Sequence, residues 1–296
     1  MATSPFCILS QKEMIQKRNL KSMEIKPSGR STDFLSPSFI FGCGFNCSYC
    51  TCKRHIPEGV IYHENVSEML TAINNHCWFA DVQKPNQTDP HYVTYDIGCN
   101  TDIGLHASKI PLQTIFDFFV SHPIAKASFA TKYVNDKLLQ YNPKGKVRIR
   151  FSLMPIKYSN ILEPNTSSIE SRIDAIDRFV DAGYEVHINF SPVIVEDGWL
   201  KEYEELFRMV DRITHKSGVK AEVIFLTHNE KKHAYNVSQG LPGEDLLWKP
   251  DIQEDKVSQH GGKNIRYNRF VKSKFVQQFT GLHGGIIPWN TIRYIF

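Results

Sequence analysis

Between residues 92 and 226 the chain alternates two kinds of segment, and this alternation limits the fold more than any other feature. Tyr92 to Gly98, Ala127 to Tyr133, Lys146 to Met154, Tyr184 to Val195 and Lys220 to Leu226 are apolar runs rich in β-branched or aromatic residues, as buried strands are. Between them, Leu112 to Ser121, Asn135 to Tyr141, Ser168 to Ala182 and Leu200 to His215 carry apolar residues at three- and four-residue steps, the period of a helix with one buried face. Ala182-Gly183 is a helix stop placed just before the next strand. Strand and helix in repeated alternation imply parallel pairing through right-handed crossovers, hence a barrel or an open doubly wound sheet. Upstream, Pro37 to Phe41 reads as a first strand and Ser67 to Cys77 as a helix capped by Ser67.

The flanks differ from this core. Residues 1–30 read as an N-terminal arm, 31–236 as the barrel and 237–296 as a C-terminal extension. Gly240, Pro242, Gly243, Pro250 and Gly261-Gly262 break any regular period, so Val237 to Gly262 reads as a long loop region. Arg266 to Phe279, basic and aromatic by turns, reads as helical, and Thr291 to Phe296 as a last short strand. With 41% hydrophobic and 22% charged residues among 296, the composition is that of an ordinary soluble α/β domain, and no run approaches the length of a membrane span. Met1 to Lys26 lacks the apolar core of a secretory signal, which leads us to expect a cytoplasmic protein. The net charge of +4 is compatible with a polyanionic partner and equally with a solvated surface.

Three of the seven cysteines, Cys43, Cys47 and Cys50, fall within one short stretch at C-x3-C-x2-C spacing. An odd count clustered in this way fits a reduced metal site better than a disulfide framework. Three thiolates with no obvious fourth suit a [4Fe-4S] cube, in which three irons take cysteine and the fourth stays open. The rival reading is structural zinc held by Cys47, Cys50, Cys52 and His55, in a non-catalytic nucleic-acid-binding module. Cys99 follows the Tyr92 to Gly98 strand and so faces the end of the sheet where the cysteine loop lies. Lone cysteines are most often small buried hydrophobes, but a thiol's weak S–H bond also suits it to quench a nearby carbon radical.

The cysteine spacing, with Tyr49 just before the last thiol, resembles the signature of radical S-adenosylmethionine (SAM) enzymes. From that loop to about Tyr267 the chain is similar, more specifically, to the spore photoproduct lyases, which reverse a methylene-bridged thymine dimer in DNA. Cys99-Asn100-Thr101-Asp102 resembles the family's C-T-S-D, Phe129-Ala130-Thr131-Lys132 its F-V-T-K and Arg150-Phe151-Ser152 its R-F-S. Glu163-Pro164-Asn165-Thr166, Ala182-Gly183-Tyr184 and Gly198-Trp199 follow its E-P-G-T, A-G-Y and E-G-W. Lys263, Arg266 and Tyr267 resemble its K-W-G-R-Y segment at the DNA-lesion face.

The resemblance implies a partial (β/α)6 barrel of the radical-SAM type with a C-terminal extension. It also implies a [4Fe-4S] cluster on Cys43, Cys47 and Cys50, SAM held by Thr101, Lys132 and Ser152, and Cys99 as hydrogen donor to the product radical. Tyr49 would help return the radical to SAM. Lys263, Arg266 and Tyr267 would meet the DNA, and a reductant such as flavodoxin or ferredoxin would supply the electron. Thr51, Met154 and Asn264 stand where the family has tyrosine, asparagine and tryptophan. The first of these changes bears on the return of the radical, so a radical-SAM enzyme acting on another nucleic-acid or small-molecule substrate is the alternative. The sequence carries no signal for oligomeric state.

Overall fold

The computed structural model describes residues 12–27, 33–50, 59–79, 89–257 and 262–296. In its central strand, Val147–Leu153, the side chains alternate between two faces. Val147, Ile149, Phe151 and Leu153 form the outer face, and Phe151 meets Phe179 of helix Ile169–Asp181 edge-on at 5.2 Å. The same phase runs through Glu185–Val193, where Phe190 contacts Phe207 and Phe279 of helices Trp199–Val210 and Arg269–Ile286. In Val93–Asp96 it turns Tyr95 toward His76 of helix Val66–Phe79. Apolar faces thus bury against an outer layer of helices, the main source of stability for such a sheet.

These strands belong to an eight-stranded sheet. Its spatial order is Ile292–Ile295, Lys220–Phe225, Glu185–Val193, Val147–Leu153, Ala125–Thr131, Val93–Asp96, Phe34–Leu35 and Lys26–Pro27. Every neighbouring pair is parallel except the last. The parallel strands succeed one another in chain order and the two edges do not pair, which is a partial α/β barrel. The final strand, Ile292–Ile295, joins this sheet beside Lys220–Phe225. No helix among the described residues is long and apolar enough to cross a membrane.

The inner face is charged. Arg148 pairs with Asp33 at 3.1 Å, Glu185 at 3.0 Å and Asp89 at 3.3 Å, and Arg150 with Asp96 at 2.8 Å and Glu222 at 3.2 Å. Arg293 of the last strand closes on the other oxygen of Glu222 at 2.6 Å. Burial alone would push the Asp33 carboxyl up, but Arg148, Arg150 and Arg293 outweigh it and hold the group well below the usual carboxylate range.

Several expectations from the sequence are corrected. The first barrel strand is Phe34–Leu35, not the run ending at Phe41; Ile40–Phe41 instead pairs antiparallel with Gly59–His63, which pairs parallel with Lys12–Gln16. The helix expected from Ser67 begins at Val66, so Ser67 lies in its first turn, where its carbonyl accepts the Thr71 hydroxyl. Asn135 to Tyr141 winds only as a 3-10 turn over Asp136–Gln140. The supposed loop from Val237 contains helix Glu244–Leu247 and strand Gln253–Val257. Lys263–Tyr267 is a strand antiparallel to the latter, and helix starts only at Arg269, where the Asn268 side chain accepts the N–H groups of Phe270 and Val271.

Candidate active site

The cysteine loop is pinned at its head by glycine. Gly42 has φ +96°, and a Cβ there would stand 2.5 Å from the Gly59 carbonyl oxygen, so both conformation and space require glycine. Its N–H donates to the Asn100 carbonyl at 3.1 Å, and its carbonyl accepts the Thr101 hydroxyl at 2.6 Å. The loop bearing Cys43 is thereby tied to the loop bearing Cys99, although they are far apart in sequence. Deeper in, the Ser48 N–H donates to the Leu162 carbonyl at 3.0 Å, and the Ser48 carbonyl accepts the Asn236 amide at 2.8 Å.

Asp102, which the sequence reading assigned no role, ties the Cys99 loop to the next strand. Its carboxylate accepts the Thr131 hydroxyl at 2.6 Å, the Lys132 N–H at 2.7 Å and the Leu105 N–H that it caps at 3.2 Å. Lys132 therefore sits at the mouth of the barrel, its Nζ 5.5 Å from the centre of the Tyr49 ring, with the Lys232 Nζ 5.8 Å from the same ring. Burial would lower Lys132, but Glu163, Cys47, Cys50 and Asp102 prevail and keep it a cation. The Tyr49 hydroxyl donates to Glu163, whose other oxygen is ion-paired with Arg172 at 2.8 Å. Burial first, then Glu163 and Cys47, push Tyr49 well above its ordinary acidity, so it keeps its proton.

Cys99 lies among polar neighbours without being ionised by them. Its sulfur is 3.1 Å from the Ser38 hydroxyl, and the Asn100 amide donates to both groups, at 3.2 Å and 2.7 Å. Burial, then the charge of Asp96, pushes the thiol up to about 12. It is held as S–H, the form a hydrogen-atom donor needs. Ser152 ends the inner face of its strand beside Asn189, whose amide reaches its hydroxyl at 3.5 Å, while Oδ1 of Asn189 is buried with no hydrogen-bond partner in the protein. An unmatched acceptor at the mouth of the barrel is a place for a ligand's donor. Asn189 escaped the sequence reading, although its alternation with Val186, Ile188 and Phe190 was the available signal.

The three loop thiols fit the cluster better than a single ion. Cys47 is influenced electrostatically by both Cys50 and Cys43, and burial, followed by Asp102 and Cys50, pushes Cys43 up to about 12, so their thiolate form requires a cationic partner. Their sulfurs are not gathered within 4.8 Å of one another, as a lone tetrahedral zinc at about 2.3 Å from each would demand. A cube spreading its ligands over three irons accommodates the wider spacing. Thr51, Cys52 and His55 lie outside the described residues.

The expected DNA-facing residues separate. Lys263 is exposed and Arg266 is half-buried and paired with Glu254 at 2.9 Å. Tyr267 is a correction: it is fully buried against Phe225 and Phe275, and its hydroxyl accepts the Val195 N–H at 3.0 Å, so no base can stack on it.

A family model described as spore photoproduct lyase matches residues 12–295. The spore photoproduct lyase of Bacillus subtilis is 26% identical over 265 residues, covering 87% of this chain and 72% of that protein. The one from Clostridium acetobutylicum is 24% identical over 284 residues, covering 94% and 80%. Among solved structures, a spore photoproduct lyase mutant with dinucleoside spore photoproduct superposes with a TM-score of 0.83 at 20% identity, covering 96% of this chain and 82% of that one. A second mutant, with bound AdoMet and dinucleoside spore photoproduct, gives the same score, identity and coverage. Matched along nearly its whole length, the chain belongs to the spore photoproduct lyase family.

Proposed function

We propose that this chain is a radical-SAM carbon–carbon lyase that repairs a methylene-bridged thymine dimer in DNA. The observation that carries the proposal is Cys99, kept protonated and linked through Asn100 and Thr101 to Gly42 at the head of the cysteine loop. The relatives solved with dinucleoside spore photoproduct and with AdoMet support it.

Cys43, Cys47 and Cys50 would hold a [4Fe-4S] cluster beside Lys132. When bound, the cluster and SAM supply one-electron chemistry, ending in a carbon radical able to take a hydrogen atom from the dimer. Lys132 offers an ammonium for the SAM carboxylate, and Ser152 and Asn189 offer polar groups beside it. Thr101 acts chiefly by fixing the Gly42 carbonyl, its hydroxyl hydrogen being committed there. Once the methylene bridge has broken, Cys99 gives its hydrogen atom to the thymine radical: one S–H bond breaks, one C–H bond forms, and the unpaired electron passes to sulfur. Tyr49, protonated and hydrogen-bonded to Glu163, would pass the radical onward. Lys263, exposed on the strand Lys263–Tyr267, would contact phosphate, with Arg266 joining it on release from Glu254, and the damaged bases would be extruded toward the barrel mouth. A small reductant such as flavodoxin or ferredoxin supplies the electron.

The test is turnover of a dinucleoside spore photoproduct by the reconstituted, reduced protein with SAM. Thymine-containing product and 5′-deoxyadenosine are expected together. Cleavage of SAM with the dimer left intact refutes the lyase assignment and favours a radical-SAM enzyme with another substrate.

A further inference from the structure

Three side chains unused above converge behind the cysteine loop. His228 ends the short strand Thr227–His228, His233 lies on helix Glu230–Ser238, and Glu244 opens helix Glu244–Leu247. Nε2 of His228 and Nδ1 of His233 lie 2.8 Å and 2.7 Å from the same oxygen of Glu244. Among the described residues this is the one group of three or more His, Cys, Asp or Glu donors lying within 4.8 Å of one another.

The surroundings hold His233 and Glu244 in place. Trp248 stacks on the His233 ring at 4.2 Å and 15°, and the Asn236 amide donates to the second oxygen of Glu244 at 2.6 Å. Such outer partners orient the side chains that bind a metal. The same Asn236 amide donates to the Ser48 carbonyl, so the group is one residue away from the backbone of the cysteine loop. His228 is fully buried at its side chain, whereas His233 remains 31% exposed, which leaves one side open for an ion to enter.

We propose that His228, His233 and Glu244 form a mononuclear site for a divalent transition metal of the zinc type, with a fourth position open to water. Two imidazoles and a carboxylate are a borderline N2O donor set that suits zinc, and an ion about 2.0–2.1 Å from each donor needs the 2.8 Å and 2.7 Å separations from the Glu244 oxygen to widen by only about half an ångström. His233, on the open side, can supply that movement. The ion would anchor the segment from His228 to Trp248 against Ser48, and so support the cysteine loop from behind.

The experiment uses the full chain with its iron-sulfur cluster reconstituted. Zinc and iron are measured per chain after equilibration with zinc and gel filtration, and cobalt is added to zinc-free protein to read tetrahedral d–d absorption. About one zinc beyond the cluster iron is expected. His233→Gln retains a hydrogen-bond donor toward Glu244 and should fold; it and Glu244→Gln should weaken zinc binding by at least about 100-fold with iron content unchanged. Failure of the unaltered protein to take up zinc or cobalt overturns the proposal. So does zinc that persists in His233→Gln and disappears in Cys43→Ser, which would place the ion at the loop thiols.

Discussion

Arg172 provides a demanding test of how the site is built. Its side chain is fully buried and donates in three directions: to the Ser167 carbonyl at 2.9 Å, to the Ser152 carbonyl at 2.8 Å and to the Thr166 hydroxyl at 2.6 Å. It is also the ionic partner of Glu163, which in turn accepts the Tyr49 hydroxyl. Arg172→Met retains most of the aliphatic stem but leaves a buried carboxylate without its counter-charge and two carbonyls without a donor. Breaking a buried pair from one side costs about 3–5 kcal/mol. With unfolding entropy near 2.1 cal/mol/K per residue over a chain of 296 residues, the melting temperature should fall by about 5–8 °C. Thermal and urea unfolding followed by circular dichroism on the full chain measure the two quantities directly. Glu163→Gln combined with Arg172→Met leaves no charge stranded and should recover about 2 kcal/mol of the loss, a coupling that a double-mutant cycle isolates. A cost below about 1 kcal/mol for Arg172→Met, or a double variant whose cost is the sum of the two single ones, would refute the assignment of Arg172 as the group that balances Glu163.

Other expectations follow from the same geometry. Gly42→Ala must adopt a left-handed φ and meet the Gly59 carbonyl, so it should lose more than about 2 kcal/mol and bind less iron, whereas Gly145→Ala, at φ +71° in open space, should lose only about 1 kcal/mol; equal losses would dismiss the steric argument. Cys99, raised to about 12, should resist alkylation by iodoacetamide at pH 8.5 when followed by peptide mass spectrometry, and half-maximal labelling near that pH would show an ordinary thiol. Stability should decline in acid. Burial lowers His187 to about 4, so between its unfolded value near 6.5 and that point the unfolded chain binds the extra proton, and about 3 kcal/mol is lost as pH falls through this window. The Asp33 carboxylate, held low by its arginines, adds a further loss once pH drops below its unfolded value of 3.8. Urea midpoints that stay flat from pH 7 to 4 would contradict the His187 contribution.

The alternation of strand and helix was legible because each repeat is long enough to show its period: Leu112–Ser121 appears where the pattern placed it, and the helix read over Ser168 to Ala182 spans Ile169–Asp181, with Ser168 as its cap. Short elements were not. Phe34–Leu35 has two residues and no period, while the apolar neighbours Phe39 and Ile40 are fully buried without belonging to the barrel sheet. Lys263–Tyr267 is too brief to separate a two-residue period from a helical one, and its true boundary lay in the cap at Asn268. Links such as Thr101 to Gly42 and Asn236 to Ser48 join distant parts of the chain and leave no local trace. The barrel interior is the more instructive case. Val-Arg-Ile-Arg-Phe-Ser-Leu alternates without a break from Val147 to Leu153, and alternation alone assigns its charged face to water. In a curled sheet that face is enclosed, so Arg148 and Arg150 must find carboxylates, and Asp33, Asp96, Glu185 and Glu222 are drawn inward to meet them. Two residues further along the same phase, Ser152 reaches the mouth of the barrel. Its position there is therefore a consequence of the arrangement that buries the arginines, and a one-residue shift of this strand would remove all three together.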